Sequence, residues 1–255
     1  MRAVEFLEHP RLIARLAAAL GVPIEKGFSL LPAGWQARVG TVSEAALAKA
    51  LAVAVRSLGK ERGRVSSAEK WHKAAAAASG VAGGAFGLGA LAIELPVSTT
   101  IILRSIAAIA REEGEDLSML AGRLQCLQVF AFGGKSGGID KGDEGYWAIR
   151  IALSKMTSEA ASFLAERGMV EKGAPPIVRF ITAIASRFGT VVSEEVAAKA
   201  IPIVGAVGGG TVNYLFADHF QKIARGHFSL RRLERTHGAD VVRTRYEEVR
   251  SMLRS

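Results

Sequence analysis

The sequence has little cysteine and few aromatic residues. Cys126 is its single cysteine among 255 residues, and aromatic side chains make up 7% of the chain. One cysteine excludes a disulfide framework within the chain, which is typical of proteins from a reducing compartment. Cys126 lies in the apolar run 124–132, where a thiol is expected to be a small buried side chain and not a nucleophile. We therefore expect a cytoplasmic protein.

The sequence also lacks convincing strand patterns, because its valine pairs at 191–192 and 241–242 are too short. Apolar residues instead recur at spacings of three and four, so the pattern predicts an all-α multi-helix bundle. A capping box at 41–44 predicts a helix start at Thr41. Other predicted helices span 96–113, ending at Gly114, then 176–188 and 193–200. A later helix ends near His227, and Ser229 and Asp240 cap two short final helices.

Two long stretches, 74–93 and 200–217, contain no charged residue and are rich in glycine and alanine. Each is nearly long enough to enter a membrane, but small side chains make independent insertion unfavourable. Their glycines fall on single helix faces, which favours close packing of two central Gly/Ala-rich helices. These close-packing positions are Gly80, Gly83, Gly84, Gly87, Gly205, Gly208 and Gly209. The packed pair could face protein, lipid or a ligand.

Polar side chains near these stretches form a candidate polar pocket. Asn213 and His227 fall on the apolar face of their predicted helix, and Glu94 and Arg104 lie after the first stretch. A buried polar group needs a hydrogen-bond partner, so a satisfied core side chain is the default interpretation. If a polar pocket exists, we expect it at Glu94, Arg104, Asn213 and His227.

The net charge is +9 and the isoelectric point is near 10, which favours anionic partners. Segment 222–254 carries nine lysines and arginines against four acidic residues. Arg231, Arg232 and Arg235 are therefore candidates for contact with an anionic surface, although a solvated helix face also explains such a run. Aromatic residues do not alternate with these charges, so nucleic acid is not favoured as a partner.

Candidate motifs for catalysis or cofactor binding are incomplete or wrongly spaced. Gly134-Lys135-Ser136 lacks the earlier glycine of a phosphate loop and follows a predicted helix instead of a strand. The histidines after position 200 are too widely spaced for a helical metal pair. We therefore predict no catalytic residue, no metal and no cofactor.

Several blocks from about Trp71 to Tyr246 resemble the EcsC protein family. They are 94–100, 102–105, 114–116, 126–134, 201–206, Asn213, Phe216, 219–220, Ala224, 227–228 and 231–235. The resemblance implies a helical accessory protein associated with membranes, since the family is named after a gene neighbouring two ABC transporter components. It implies no established reaction. It also divides the chain into an N-terminal helical region, 1–65, and an EcsC-like helical domain, 66–255, which form one continuous unit.

These observations support a non-enzymatic peripheral membrane protein or transporter accessory at the inner face of the cell membrane. Its expected partners are an anionic membrane surface or a membrane transporter. The alternative is a soluble helical protein that binds lipid or a small molecule, or an uncharacterised enzyme, with a polar pocket near Arg104 and Asn213. Nucleic-acid binding through the basic tail ranks third, and the oligomeric state stays open.

Overall fold

The computed structural model describes residues 1–8, 12–59, 91–134, 145–168, 173–201 and 209–254, and these residues form an all-α bundle without a strand. The fold class predicted from the sequence is confirmed. The ten α-helices of the described residues are α1 Arg2–Glu8, α2 Leu12–Leu20, α3 Glu25–Ser29, α4 Trp35–Val53, α5 Leu91–Glu112, α6 Leu120–Phe132, α7 Tyr146–Arg167, α8 Pro175–Ala200, α9 Gly209–His237 and α10 Ala239–Arg254. A π-helical turn, Ala54–Leu58, continues α4.

Helix α9 is the axis of the bundle. It has 29 residues and is therefore about 43 Å long. It packs against α1, α2, α5, α6, α8 and α10, while α4 packs against α5 and α8. A cluster of phenylalanines lies where α6, α8 and α9 meet: the Phe130 ring centroid is 5.0 Å from that of Phe188 and 5.1 Å from that of Phe220. Burial of these rings stabilises the centre of the bundle.

Four predicted helix limits are wrong. Segments 176–188 and 193–200 form one continuous helix, α8, because burial of Phe188, Val191 and Val192 outweighs the cost of about 1 kcal/mol for Gly189. Helix α4 begins six residues before the predicted capping box, and Thr41 donates from Oγ1 to the Ala37 carbonyl within it. Local capping patterns were overridden by tertiary packing.

The other two limits concern α5 and α9. Helix α5 begins at Leu91, so Pro96 lies inside it and not in its first turn. Helix α9 extends ten residues past His227, and Ser229 is an interior residue whose Oγ donates to Glu113 at 2.8 Å. Gly238, whose φ is 88°, separates α9 from α10. That left-handed conformation suits glycine after a helix end.

Close helix contacts do occur at glycines, but at positions that the sequence patterns did not indicate. Gly27 of α3 lies so close to α8 that a Cβ would overlap the Ala197 carbonyl. Gly226 of α9 faces α1, where a Cβ would be 2.9 Å from Leu7 Cγ. Of the predicted packing glycines, Gly209 is the buried first residue of α9. The others, Gly80, Gly83, Gly84, Gly87, Gly205 and Gly208, lie outside the described residues.

Candidate functional site

Four polar side chains from three helices meet where α5 and α9 begin and α8 ends. The Lys199 ammonium lies 2.5 Å from Glu94 Oε1 and 2.8 Å from Glu195 Oε1. Asn213 Nδ2 donates to the same Glu94 oxygen at 2.9 Å. We call these residues, Glu94, Glu195, Lys199 and Asn213, the junction cluster. The structure thus brings together two of the four predicted pocket residues, Glu94 and Asn213.

The junction cluster is nearly inaccessible to water. The exposed fractions of the Lys199, Glu94 and Glu195 side chains are 13%, 9% and 3%. Burial raises the pKa of Glu195 and outweighs the opposing charge of Lys199. Burial alone would lower the pKa of Lys199, but the carboxylates of Glu195 and Glu94 raise it above its ordinary value. Lys199 therefore remains an ammonium, the form that holds carboxylates and not the form that acts as a nucleophile.

In the sequence, residues of the junction cluster adjoin or lie within the two uncharged stretches. The stretch 74–93 runs into the start of α5, and the stretch 200–217 connects the end of α8 to the first turns of α9. Large apolar side chains next to the cluster face solvent, with exposed fractions of 76% for Ile93 and 41% for Tyr214. Val97, one turn further along α5, is 39% exposed. A buried charged clamp is therefore bordered by exposed apolar groups.

Arg104 and His227 lie away from the junction cluster. Arg104 is half-buried on α5, ten residues after Glu94, which corresponds to about 15 Å along the helix. His227 follows Asn213 by fourteen residues on α9, or about 21 Å. The four residues predicted to share one pocket are thus distributed along two helices.

His227 has a partner in the core. Its Nδ1 lies 2.8 Å from the Tyr146 hydroxyl, and its ring centroid is 4.9 Å from that of Phe132. Burial lowers the pKa of His227 well below its ordinary value, and the charges of Arg150 and Arg231 add to that effect. The imidazole is therefore neutral at physiological pH, as expected for a core histidine that serves packing.

The structure pairs three arginines of α9 with the turn after α5. They are the arginines that were predicted to contact an anionic surface. Arg231 makes two hydrogen bonds to Glu115, of 2.9 and 2.6 Å, and Arg235 makes one of 2.8 Å. Arg232 lies 3.0 Å from Glu113, and 58% of its side chain is exposed. We call these five residues the tail clamp. Gly114, with a φ of 77°, forms the turn that presents both carboxylates to α9.

Burial alone would raise the pKa of Glu115, but the hydrogen bonds and charges of Arg231 and Arg235 hold it below its ordinary value. Glu115 therefore remains ionised at neutral pH. Its arginines have protein partners, so any anion that binds there competes with Glu113 and Glu115. Their predicted role at an anionic surface stays a prediction.

Lys199 and Glu195 belong to the site but were not predicted. Their spacing of four residues on one helix face is typical of a local ion pair, and this was the available signal. Among the described parts of the chain, no group of three or more histidine, cysteine or acidic side chains could hold a metal ion. Burial also raises the pKa of Cys126, so its thiol is not activated.

One described helix, α5, is long and apolar enough to cross a membrane by length and composition. However, 61% of its most apolar window is buried inside the bundle, as in the core helix of a water-soluble domain. The family model described as EcsC protein family matches residues 31–233, so the match begins about forty residues before the resembling blocks. Neither the curated proteins nor the solved structures gave a match.

Proposed function

The chain belongs to the EcsC protein family, and on that premise we propose that it is a non-enzymatic peripheral protein of the inner membrane face. It docks there on an anionic lipid surface and serves a membrane transporter as an accessory protein. The observation that carries the proposal is the junction cluster, which fixes the starts of α5 and α9 beside exposed apolar side chains.

The apolar contribution comes from the border of the junction cluster. Ile93, the last residue of the uncharged stretch 74–93, is 76% exposed. Val97, four residues later, is 39% exposed. Single exposed apolar residues are common on protein surfaces, but here one of them ends an uncharged stretch of the sequence and the other follows it closely. An interfacial contact with lipid would remove their apolar area from water, which is favourable by roughly 25 cal/mol per Å².

The electrostatic contribution comes from the net charge of +9. Each basic residue near an anionic leaflet contributes roughly 1 kcal/mol of attraction, which is screened by salt. A few such residues together with a small apolar contact support reversible docking. The buried α5 is consistent with docking and not with spanning, because most of its apolar surface already contacts protein.

The polar-pocket alternative receives less support. Asn213 Nδ2 and Glu94 are already bonded to each other, and Lys199 occupies the same carboxylate oxygen. A ligand that used these groups would first have to break a buried ion pair, which costs several kcal/mol. The site is therefore better suited to holding three helices than to binding a small molecule.

Vesicle flotation tests the proposal. The purified protein is mixed with phosphatidylcholine vesicles, with or without phosphatidylglycerol, at low and high salt. We expect flotation with the anionic lipid at low salt and its loss at high salt. Ile93→Glu should reduce flotation, whereas Ile151→Glu, at a residue of α7 that is 55% exposed, should not. A wild-type protein that stays in the soluble fraction in every arm would overturn the proposal.

A further inference from the structure

The loop that joins α3 to α4 is apolar and largely faces solvent. The exposed fraction of Leu30 is 54%. The loop backbone is held by a turn, in which the Leu31 N–H donates to the Phe28 carbonyl at 3.3 Å. Trp35, the first residue of α4, is half-buried and packs against Phe28 with 5.6 Å between the ring centroids. We call residues 30–35 the α3–α4 loop. These contacts fix the loop in a position that presents Leu30 outward.

The α3–α4 loop lies at the same end of the bundle as the junction cluster. Gly27 of α3 lies against the carbonyl of Ala197, two residues before Lys199. Helix α4 packs against α5, and the Arg111 guanidinium near the end of α5 donates to the Leu58 carbonyl after α4 at 2.6 Å. The two helices therefore run in the same direction and begin at the same end. Three separate elements expose apolar side chains at that end, namely Leu30 of the loop, Ile93 and Val97 of α5, and Tyr214 of α9.

The polar groups around the α3–α4 loop match an anionic lipid surface. Residues 26–43 contain no acidic side chain, and Lys26 and Arg38 flank the loop. Both side chains are exposed, and neither pairs with a carboxylate among the described residues. The indole N–H of Trp35 likewise has no acceptor in the described part of the chain. Tryptophan is enriched where hydrocarbon meets headgroups, and leucine and tryptophan beside basic residues are typical of an interfacial membrane contact.

The other end of α9 also exposes apolar residues, but its charges are different. Val241 and Met252 of α10 are 58% and 66% exposed, yet three acidic residues lie on the same helix. Arg250 of α10 pairs with the buried Glu8 of α1 at 2.9 Å, and Glu8 also accepts a hydrogen bond of 2.5 Å from the Tyr246 hydroxyl. Acidic side chains are repelled by an anionic leaflet, and this arginine already has a carboxylate partner. The end with the α3–α4 loop is therefore the better match for anionic lipid.

We infer that the α3–α4 loop inserts into the headgroup region of an anionic phospholipid leaflet. Leu30 enters the boundary with the acyl chains, and Trp35 lies at the level of the headgroups. Lys26 and Arg38 then contact lipid phosphates. The inference rests on the proposed function for the identity of the partner as lipid, and it adds the element that inserts and the orientation of the bundle.

In that orientation, α9 begins near the leaflet and leads away from it, because its first turns share an end of the bundle with the α3–α4 loop. Arg232 of the tail clamp follows Asn213 by nineteen residues, or about 28 Å along the helix. At physiological salt, charge effects between exposed groups are screened over about 8 Å. Arg232 therefore lies outside the electrostatic reach of the leaflet, whereas Arg38 lies within it.

Tryptophan fluorescence of the full chain, titrated with mixed phosphatidylglycerol and phosphatidylcholine vesicles, tests the inference. We expect a blue shift on binding and quenching by phospholipids that carry a spin label near the headgroup. Trp35→Phe should remove most of this quenching when both proteins are fully bound. The difference between the two proteins separates Trp35 from Trp71 and from Trp147, which packs against Tyr246 at the other end of the bundle.

Two matched pairs of variants locate the contact. Leu30→Glu, at a residue 54% exposed, should weaken binding to the anionic vesicles at least tenfold, while Ile151→Glu, at a residue 55% exposed on α7, should not. Arg38→Gln should weaken binding about fivefold at low salt and less at high salt. Arg232→Gln should leave binding unchanged. Circular dichroism and thermal unfolding confirm that each variant is folded.

Three results would overturn the inference while the proposed function stands, because in each the wild type floats with anionic vesicles and Ile93→Glu reduces flotation. The first is binding by Leu30→Glu at the wild-type level. The second is equal spin-label quenching in the wild type and Trp35→Phe. The third is equal weakening by Arg232→Gln and Arg38→Gln, which would turn the tail clamp towards the leaflet. A wild-type chain that binds no vesicle in any arm would overturn both proposals.

Discussion

An ion-pair cluster lies at each end of α9, but the surroundings of the two clusters differ. At the start of α9, the Lys199 and Glu195 side chains of the junction cluster are 13% and 3% exposed. At the other end, Arg232 and Arg235 of the tail clamp are 58% and 42% exposed, although Glu115 is buried. Ion pairs of the same kind therefore stabilise the fold to different extents. The free energy of unfolding lost on removing one partner is larger when the charge left behind is more deeply buried.

The largest effect is expected at the junction cluster. Lys199→Met leaves the carboxylates of Glu94 and Glu195 buried without their cation, which should lower the free energy of unfolding by about 3–5 kcal/mol. Urea denaturation at pH 7 measures this difference. The loss should shrink at lower pH, because protonation of the carboxylates removes the uncompensated charge.

Lys222→Met is the matched control for Lys199→Met. Lys222 also pairs with an acidic residue on its own helix, Asp218, at 3.0 Å, but its side chain is 41% exposed and Arg15 remains bonded to the same carboxylate. Its loss should cost less than about 1 kcal/mol. Equal losses for the two lysines would contradict the dependence of the loss on burial of the pair.

An intermediate effect is expected at the tail clamp. Glu115→Gln removes the charge that accepts hydrogen bonds from Arg231 and Arg235, which should cost about 2 kcal/mol. Since the pKa of Glu115 is below its ordinary value, this stability is present at neutral pH and is lost as pH falls through the folded-state pKa. Chemical denaturation at pH 7 and at acid pH gives both quantities.

Arg232→Gln provides the control within the same clamp. Its partner Glu113 keeps a hydrogen bond from Ser229, and the arginine is mostly exposed, so the loss should be about 0.5 kcal/mol or less. If Arg232→Gln lowered the free energy of unfolding as much as Glu115→Gln, burial would not determine how much each contact contributes to stability.

Apart from the control variants, the smallest effect concerns His227, a buried neutral group of α9. Its folded-state pKa lies below the unfolded value of about 6.5, so the unfolded chain takes up the proton first as pH falls. Between pH 7.5 and 5.5 this should lower stability by about 1 kcal/mol. His227→Phe keeps a ring against Phe132 and should flatten the pH dependence by that amount. An unchanged slope would mean that the pKa of His227 is the same in the folded and the unfolded protein.

The sequence predicted the fold class, and two of the four residues named for a polar pocket, Glu94 and Asn213, are hydrogen-bonded to each other in the structure. Asn213 was named because a polar group on an apolar helix face must find a partner, and this requirement is visible in helical periodicity. Lys199 and Glu195 were missed because the helix that meets the start of α5 and α9 is chosen by packing of the whole bundle. Periodicity reports the face of one helix, not the identity of its neighbour.

The arginines near the end of α9 also show that sequence patterns do not identify the partner of a helix face. Their clustering correctly marked a charged face, but the partners on the turn at Gly114 are about 116 residues away in sequence. Helix limits failed for a related reason. Gly189 and the capping pattern at Thr41 are local signals, whereas burial of whole helix faces set the observed limits.

The hydrogen bond of the Glu8 carboxylate determines when α1 can dock during synthesis of the chain. It bonds to Tyr246, which lies 238 residues later in the sequence. A ribosome that adds 5–20 residues per second delivers that partner about 12–48 s after Glu8 itself. Throughout that interval α1 lacks the contact that fixes it to α10. Docking of α1 against α10 is therefore a late step during synthesis.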